Sequence, residues 1–204
     1  MDSDDAFSAL GFNELFFSVH DETSRYKFDR LLASLIEIGE RQYEQCSQTK
    51  FETLPVFGSV LKVIADVFDK RGGRAMIFSG NPCRSGPGKF EDSNSPTGDE
   101  PFKCRNQFFK DMAMHLNKQR TSVDLFLFEN IEFQLATIAL VSSFTGGNVY
   151  HYPVYDSYLH SERLYYEIYR NLTRYQGMEV ACRLRCSPGI DLIDYYTPAG
   201  RNPN

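Results

Sequence analysis

Residues 123–153 read VDLFLFENIEFQLATIALVSSFTGGNVYHYP, which is an apolar strand, a helix, a pair of glycines and an aromatic strand in succession. The same alternation continues on both sides, with a strand at 74–78 and a helix at 105–118 before it and a helix at 157–175 after it. Strands that alternate with helices predict a parallel sheet, because parallel neighbours need a crossover connection. The strands are nearly continuous apolar runs, which indicates that helices cover both faces of the sheet. The sequence therefore predicts an α/β, doubly wound fold.

The first half of the chain is predicted to contain two helices and a long loop. Residues 25–43 place Phe28, Leu31, Leu32, Leu35 and Ile38 at helical spacing, with Thr23 or Ser24 as a cap. The run at 56–68 is apolar on most faces, so we expect a helix buried on more than one side, stopped by Gly72-Gly73. Pro, Gly, Ser and Asp dominate residues 79–103, which predicts a long mobile surface loop.

The last element follows a different pattern. In residues 178–186 the apolar Met178, Val180, Cys182, Leu184 and Cys186 alternate with Glu179, Ala181, Arg183 and Arg185. A period of two predicts a strand with one face in solvent, and it places the two thiols on the core side, about 13 Å apart. The chain is therefore expected to leave the parallel sheet and to enter an antiparallel one.

Composition narrows the classes of function. Of the 204 residues, 42% are apolar and 24% are charged, and the formal net charge is −5, so nucleic-acid binding has no global electrostatic support. The acidic start, MDSDDAFSAL, lacks a signal-peptide pattern, and five scattered cysteines predict reduced thiols in a cytosolic compartment. The sequence contains neither a CxxC pair nor histidines at the spacing of metal ligands, so no metal site is predicted. The tyrosines of 150–175 are interpreted as packing residues of a helix and a strand, since Tyr158, Tyr165, Tyr169 and Leu172 recur at helical spacing.

Arg183 and Arg185 are the candidate binding residues. Two residues apart on a strand, their Cα atoms would be about 7 Å apart on one face. Arginine forms planar, bidentate contacts with carboxylates, so the pair could hold one or two acidic side chains of an extended peptide. The pattern also fits an ordinary polar outer face of a strand, because exposed arginine is common.

From about residue 13 to residue 196 the chain resembles the trunk domain of the COPII inner-coat cargo adaptor, the larger inner-coat subunit. The resemblance is carried by an ordered set of segments: GGRAMIF (72–78), SVDLFLF (122–128), ATIALVSSFTGG (136–147), VYHYP (149–153), LYYEIYRNLTR (164–174) and ACRLRCSPGI (181–190).

The resemblance implies a fold and a division of the chain. It implies an irregular segment at 1–20, the C-terminal half of a von Willebrand A-like trunk at 21–176, and the start of a β-sandwich with a tail at 177–204. The sheet would hold the last three of six parallel strands and run into one β-sandwich strand. The strand that carries an Asp-x-Ser metal motif in such folds has no counterpart here, nor has the family's zinc finger, so no cofactor is expected.

The resemblance also implies a function without catalysis. Arg183 and Arg185 match arginines of the pocket that takes acidic sorting signals of cargo and SNARE proteins for transport from the endoplasmic reticulum to the Golgi. The implied partners are the smaller inner-coat subunit and cargo tails, and the implied location is cytoplasmic, peripheral on the endoplasmic reticulum membrane and on COPII vesicles. The alternatives are the smaller, GTPase-activating inner-coat subunit and a metal-dependent von Willebrand A adhesion module.

One further expectation concerns the strand at 74–78. Its outer neighbour in the family's sheet has no counterpart in this sequence, so its edge would be an association hazard. We expect the chain to self-associate there, or the LFFSV segment (15–19) to fill the edge.

Overall fold

The structure is a computed structural model, and it describes residues 12–49, 56–81, 83–90, 104, 106–128, 135–177, 180, 183–194, 196–197 and 200–201. The helices are α1 (Phe12–Leu15), α2 (Glu22–Thr49), α3 (Phe57–Val67), α4 (Gln107–Lys118), α5 (Leu135–Thr145) and α6 (Ser157–Thr173). The strands are β1 (Gly73–Ser79), β2 (Thr121–Leu127), β3 (Val149–His151), β4 (Tyr196–Thr197) and β5 (Gly200–Arg201). The alternation of strands and helices over 73–173 is the one that the sequence predicts, and α1 lies within the segment 1–20 expected to be irregular.

The sheet is parallel, with the strand order β1-β2-β3. β1 pairs with β2 from Gly73 opposite Thr121 to Ser79 opposite Leu127, and β3 pairs with the end of β2. β2 is the central strand, and six of its seven residues are buried. The predicted α/β class with a parallel sheet and flanking helices is confirmed. β4 and β5 form a separate two-residue antiparallel pair.

One face of the sheet holds the apolar core. Side chains of β2 meet side chains of α3, α4 and α5 there, including Leu61, Ala113, Leu116, Val123, Leu125, Leu127, Ile138 and Val141, all fully buried. Phe109 of α4 lies at the centre of an aromatic group, with ring centroids 6.0 Å from Phe57, 5.6 Å from Phe90 and 5.4 Å from Phe108. The core therefore joins three helices that are distant in sequence.

The first part of the predicted mobile loop belongs to this core. Cys83 is fully buried, and its carbonyl accepts a hydrogen bond of 3.0 Å from the Phe90 backbone N–H. The Phe90 ring stacks on Phe109. Residues 83–90 form no helix or strand, and Arg84 and Lys89 are exposed, so a loop is confirmed there, but Cys83 and Phe90 attach it to the core. The remainder of that prediction, at 91–103, lies outside the described residues.

Helix α6 covers part of the opposite face of the sheet. Tyr152, which is 2% exposed, donates a hydrogen bond to the Glu167 carboxylate. The Arg163 guanidinium also donates to Glu167, at 2.9 Å, and lies 5.1 Å from the centre of the Tyr152 ring. Burial and the bond to Glu167 raise the pKa of Tyr152, so this hydroxyl remains a donor at physiological pH. The contact fixes the middle of α6 against the end of β3.

The tyrosine-rich side of α6 is exposed, contrary to the interpretation as packing residues. The exposed fractions are 92% for Tyr158, 70% for Tyr165, 53% for Tyr169 and 65% for Leu172. The helix turns its other side, with Glu167 and Asn171, towards the sheet. The helical spacing correctly shows that the tyrosines share one side of α6. The polar side, with Glu167 and Asn171, is the one that contacts the sheet.

Helix α2 has the predicted position and is longer than predicted. Its N-terminal cap is Asp21, which accepts hydrogen bonds from the backbone N–H and the hydroxyl of Ser24, at 3.0 and 2.8 Å. These bonds lower the pKa of Asp21. Thr23 and Ser24 are therefore residues of the first turn and not the cap. The predicted apolar stripe is at least 41% exposed throughout, at Phe28, Leu31, Leu32, Leu35 and Ile38.

The LFFSV segment does not pair with β1. Phe16 packs edge-on against Phe68 at 5.6 Å, and Phe17 packs against Phe28 at 5.8 Å. Residues 16–18 form no strand, so the expectation that this segment fills the edge of the sheet is wrong. Within the described ranges β1 pairs with β2 alone.

Of the two glycine pairs predicted to stop a helix, one lies directly after its helix and the other lies several residues beyond it. Gly146 has φ +72° just after α5, and the Gly147 N–H donates to the Ser142 carbonyl at 2.9 Å, which confirms the predicted helix stop. A Cβ atom on Gly147 would lie 1.9 Å from the Val123 carbonyl oxygen, so only glycine allows this close passage under β2. The helix α3, in contrast, ends at Val67, and Gly72, at φ +70°, serves the turn into β1.

The cap of α4 provides a test of local structure. The Asn106 side chain accepts a hydrogen bond of 3.0 Å from the Phe108 N–H at the start of this helix. We expect Asn106→Ala to lower the free energy of unfolding by about 0.5–2 kcal/mol, because the N–H loses its acceptor. Urea denaturation followed by circular dichroism measures the change. Asn106→Asp is the control, since it retains an acceptor, and an equal loss in both variants would contradict the assignment.

Candidate cargo-binding site

Arg183 and Arg185 lie on an exposed segment after α6. All residues of 183–190 are exposed, and the segment ends in a turn in which the Ile190 N–H donates to the Ser187 carbonyl at 3.1 Å. Gly189, at φ +91°, occupies the left-handed conformation of that turn. Both arginine side chains therefore face solvent, as a docking site for a partner requires.

The predicted strand at 178–186 does not form where the structure describes it. Residues 180 and 183–186 have no strand assignment, and the intervening residues 181 and 182 lie outside the description, as do 178 and 179. Val180 is 73% exposed, Leu184 is 57% exposed and Cys186 is exposed. The expectation of a buried apolar side is wrong for these three residues. A strand gains its stability from an adjacent strand and from burial of one face, and the described residues supply neither beside this segment.

Neither arginine forms an ion pair within the part of the chain that the structure describes. A guanidinium without an internal carboxylate partner can form bidentate hydrogen bonds with a carboxylate of another molecule. The predicted spacing of the two groups on one face depends on a strand, and it stays a prediction.

A buried polar network lies on the face of the sheet opposite the core. Asp124, fully buried in β2, accepts hydrogen bonds from the Arg74 guanidinium and, at 2.8 Å, from the Asn148 N–H. Arg74 also donates to the Asn171 side chain at 2.9 Å, and the Asn171 amide donates to the Tyr150 hydroxyl at 2.9 Å. The network joins all three parallel strands to α6. An aspartate inside the apolar run VDLFLF was the sequence signal for it.

A cavity of about 800 Å³ opens at the amino-terminal ends of β1 and β2. The last residues of α4 and α5 and the segment after α6 complete its wall. Its charged residues are all basic, namely Arg74, Lys118, Arg120 and Arg174. The cavity could not be predicted from the sequence, because its residues come from four places between 73 and 177 and no local motif connects them.

Metal-binding groups and membrane-spanning helices are both absent from the part of the chain that the structure describes. No group of three or more His, Cys, Asp and Glu side chains is placed to hold a metal ion among them. Of the helices that the structure describes, none combines the length and apolar character that crossing a membrane requires.

The parallel sheet with helices on both faces makes this chain a doubly wound α/β domain. An exposed basic segment follows helix α6. The model of the Sec23/Sec24 trunk domain family matches residues 1–172 of this chain. The chain therefore belongs to the Sec23/Sec24 trunk domain family. The match ends before Arg183 and Arg185, so it does not extend to the candidate site.

Individual relatives agree with this assignment. The chain is 28% identical over 156 residues to the protein transport protein SEC24 A of Arabidopsis thaliana, which covers 73% of this chain and 15% of the relative. It is 28% identical over 155 residues to human Sec24B, covering 71% of this chain and 12% of the relative. The match thus spans less than a sixth of either relative.

A solved structure shows the same fold. The crystal structure of the human COPII-coat protein Sec24c aligns with a TM-score of 0.55 at 26% identity, covering 59% of this chain and 18% of that chain. The likeness supports the arrangement of strands and helices described above.

Proposed function

We propose that this chain acts as part of a COPII cargo adaptor of the Sec24 type, the larger inner-coat subunit, and binds acidic sorting signals of cargo and SNARE proteins. The match of residues 1–172 to the Sec23/Sec24 trunk family carries the proposal. The relatives described above bear Sec24 names, which favours the larger subunit over the smaller, GTPase-activating one. The order β1-β2-β3 supports the assignment of residues 21–176 to the C-terminal half of the trunk, followed by the start of a β-sandwich from 177.

Binding would rest on Arg183 and Arg185. Each guanidinium can donate two parallel hydrogen bonds to a carboxylate, and a hydrogen bond to a charged group contributes about 1.5–3 kcal/mol. Exposure of both side chains reduces this contribution through solvent screening. The pair would therefore give selectivity for acidic tails with modest affinity.

The remaining parts of the proposal follow from the coat assignment. The chain would act without catalysis and without a cofactor of its own, together with the smaller inner-coat subunit, on the cytoplasmic side of the endoplasmic reticulum membrane and on COPII vesicles. Among the described residues β1 pairs with β2 alone, which supports self-association as a second mode of assembly, because such an edge offers hydrogen-bonding groups to another chain.

Calorimetry with an extended peptide that carries two glutamates tests the proposal. We expect Arg183→Ala with Arg185→Ala to weaken peptide binding about 10-fold, which corresponds to about 1.4 kcal/mol. The control is Arg30→Ala with Arg170→Ala, two exposed arginines on α2 and α6 whose loss changes the net charge equally. Equal weakening by both double variants would contradict a defined site. Peptide binding that requires magnesium would support the adhesion-module alternative instead.

A further inference from the structure

We propose that the cavity at the amino-terminal ends of β1 and β2 is an anion-binding site for a phosphate monoester, separate from Arg183 and Arg185. Its volume, about 800 Å³, lies within the range of about 300–1,000 Å³ that is usual for small-molecule sites. Arg74, Lys118, Arg120 and Arg174 line it, and the described residues place no aspartate or glutamate in its wall.

The helix ends around the cavity do not cancel this charge. Lys118 ends α4, Thr145 ends α5 and Arg174 is the C-terminal cap of α6. Each helix C-terminus carries a partial charge of about −0.5. Asp124 neutralises one further charge, that of Arg74. Lys118 and Arg174 together therefore carry about half a positive charge more than the three helix termini offset.

The state of the lining side chains points to a ligand. Lys118 and Arg174 form no ion pair with any residue that the structure describes. Thr121, at 1% exposed, lines the cavity, and its buried hydroxyl has no hydrogen-bond partner within the described residues. A buried hydroxyl without a partner costs free energy, and an anion seated beside it would supply an acceptor.

The arrangement favours phosphate over a carboxylate. A phosphate monoester presents three strong acceptor oxygens and about two negative charges, and the wall of the cavity presents cations from four different elements or connections. Arg74 is held in place by Asp124 and Asn171, so part of the basic wall is already oriented before a ligand arrives. Such a phosphate can be free in solution or belong to a lipid headgroup.

Calorimetry with inositol 1,4-bisphosphate tests the site. We expect binding by the unaltered chain and a loss of about 10-fold or more in Lys118→Gln with Arg174→Gln, because two charged donors are removed. The matched control is Lys110→Gln with Arg170→Gln, which removes the same charge from exposed positions of α4 and α6 outside the cavity. Both double variants are compared with the unaltered chain by thermal denaturation, so that only folded protein is titrated.

Vesicles of phosphatidylcholine with phosphatidylinositol 4-phosphate separate the two sources. If the unaltered chain binds both the soluble phosphate and the vesicles, and the cavity variant loses vesicle binding, the ligand is a lipid headgroup. Soluble binding without vesicle binding assigns a free phosphate. Absence of soluble binding, equal binding by both double variants, or vesicle binding alone would overturn the proposal. Arg183 and Arg185 are unchanged throughout, so the outcome is independent of the cargo site.

Discussion

Asp124→Ala is expected to lower the free energy of unfolding by about 3–5 kcal/mol, because it leaves the Arg74 charge without its partner in a site with little solvent. The side chains of Arg74 and Asp124 are 12% and 0% exposed. The substitution also removes the acceptor for the Asn148 N–H at the entry to β3. The loss therefore affects the contact of β2 with both of its neighbours.

Chemical denaturation with urea measures this loss, and a paired replacement provides the control. Arg74→Met with Asp124→Leu removes both charges and keeps apolar volume, so it should retain more stability than Asp124→Ala alone. If the single variant were as stable as the original chain, the ion pair would have no structural role. If the paired variant lost more than the single one, the deficit would come from packing and not from the unpaired charge.

Phe109→Ala is the second substitution with a large expected effect, a loss of about 3–5 kcal/mol in the free energy of unfolding. Phe109 is fully buried and its ring contacts Phe57 of α3, Phe90 of the loop and its neighbour Phe108. Removal of the ring leaves a cavity between α3, α4 and the loop at 83–90, and the loss of stability grows with the part of that cavity that the neighbouring side chains do not fill.

Met114→Ala is the matched control for this substitution. Met114 lies on the same helix, is 39% exposed and carries an unbranched apolar side chain. Its replacement is expected to change stability by less than about 0.5 kcal/mol. Thermal and urea denaturation should both rank the two variants in this order. Similar losses in both would show that α4 contributes through its helical backbone and not through the aromatic group.

The parallel sheet was predictable because its signal is local. The strands of 123–153 are mostly apolar or aromatic, and the helix between them ends at a pair of glycines, so the hydrophobic pattern and the helix stop indicate the same fold. The structure has β2 at Thr121–Leu127, where the apolar run VDLFLF (123–128) predicts a strand, and it confirms the stop at Gly146-Gly147. Parallel pairing followed from the helices between the strands.

The errors arose where the structure depends on distant partners. Residues 178–186 have the alternation of a strand, but alternation alone gives no hydrogen-bond partner and no surface on which to bury Leu184. The tyrosine stripe of α6 has the spacing of a packing face, yet Asn171 and Glu167 supply the contacts with the sheet. Spacing shows which side chains share a side of an element, and it does not show which side meets the core.

The basic cavity illustrates the same limit for a site. Lys118, Arg120 and Arg174 are ordinary surface residues in the sequence, and the last of them is separated from the others by two strands and two helices. Only the parallel crossovers bring the ends of α4, α5 and α6 to one end of the sheet. Arg183 and Arg185 were recognisable earlier because they are near each other along the chain.

The edge of β1 that faces away from β2 presents backbone hydrogen-bonding groups in a regular row. The Gly73 N–H donates to the Arg120 carbonyl on the β2 side, and successive backbone groups of a strand alternate in direction. The amides of Arg74, Met76 and Phe78 consequently point outwards, at intervals of about 7 Å. A polypeptide that paired with this edge would be held by its main chain, so the contact would depend little on the side chains of that polypeptide.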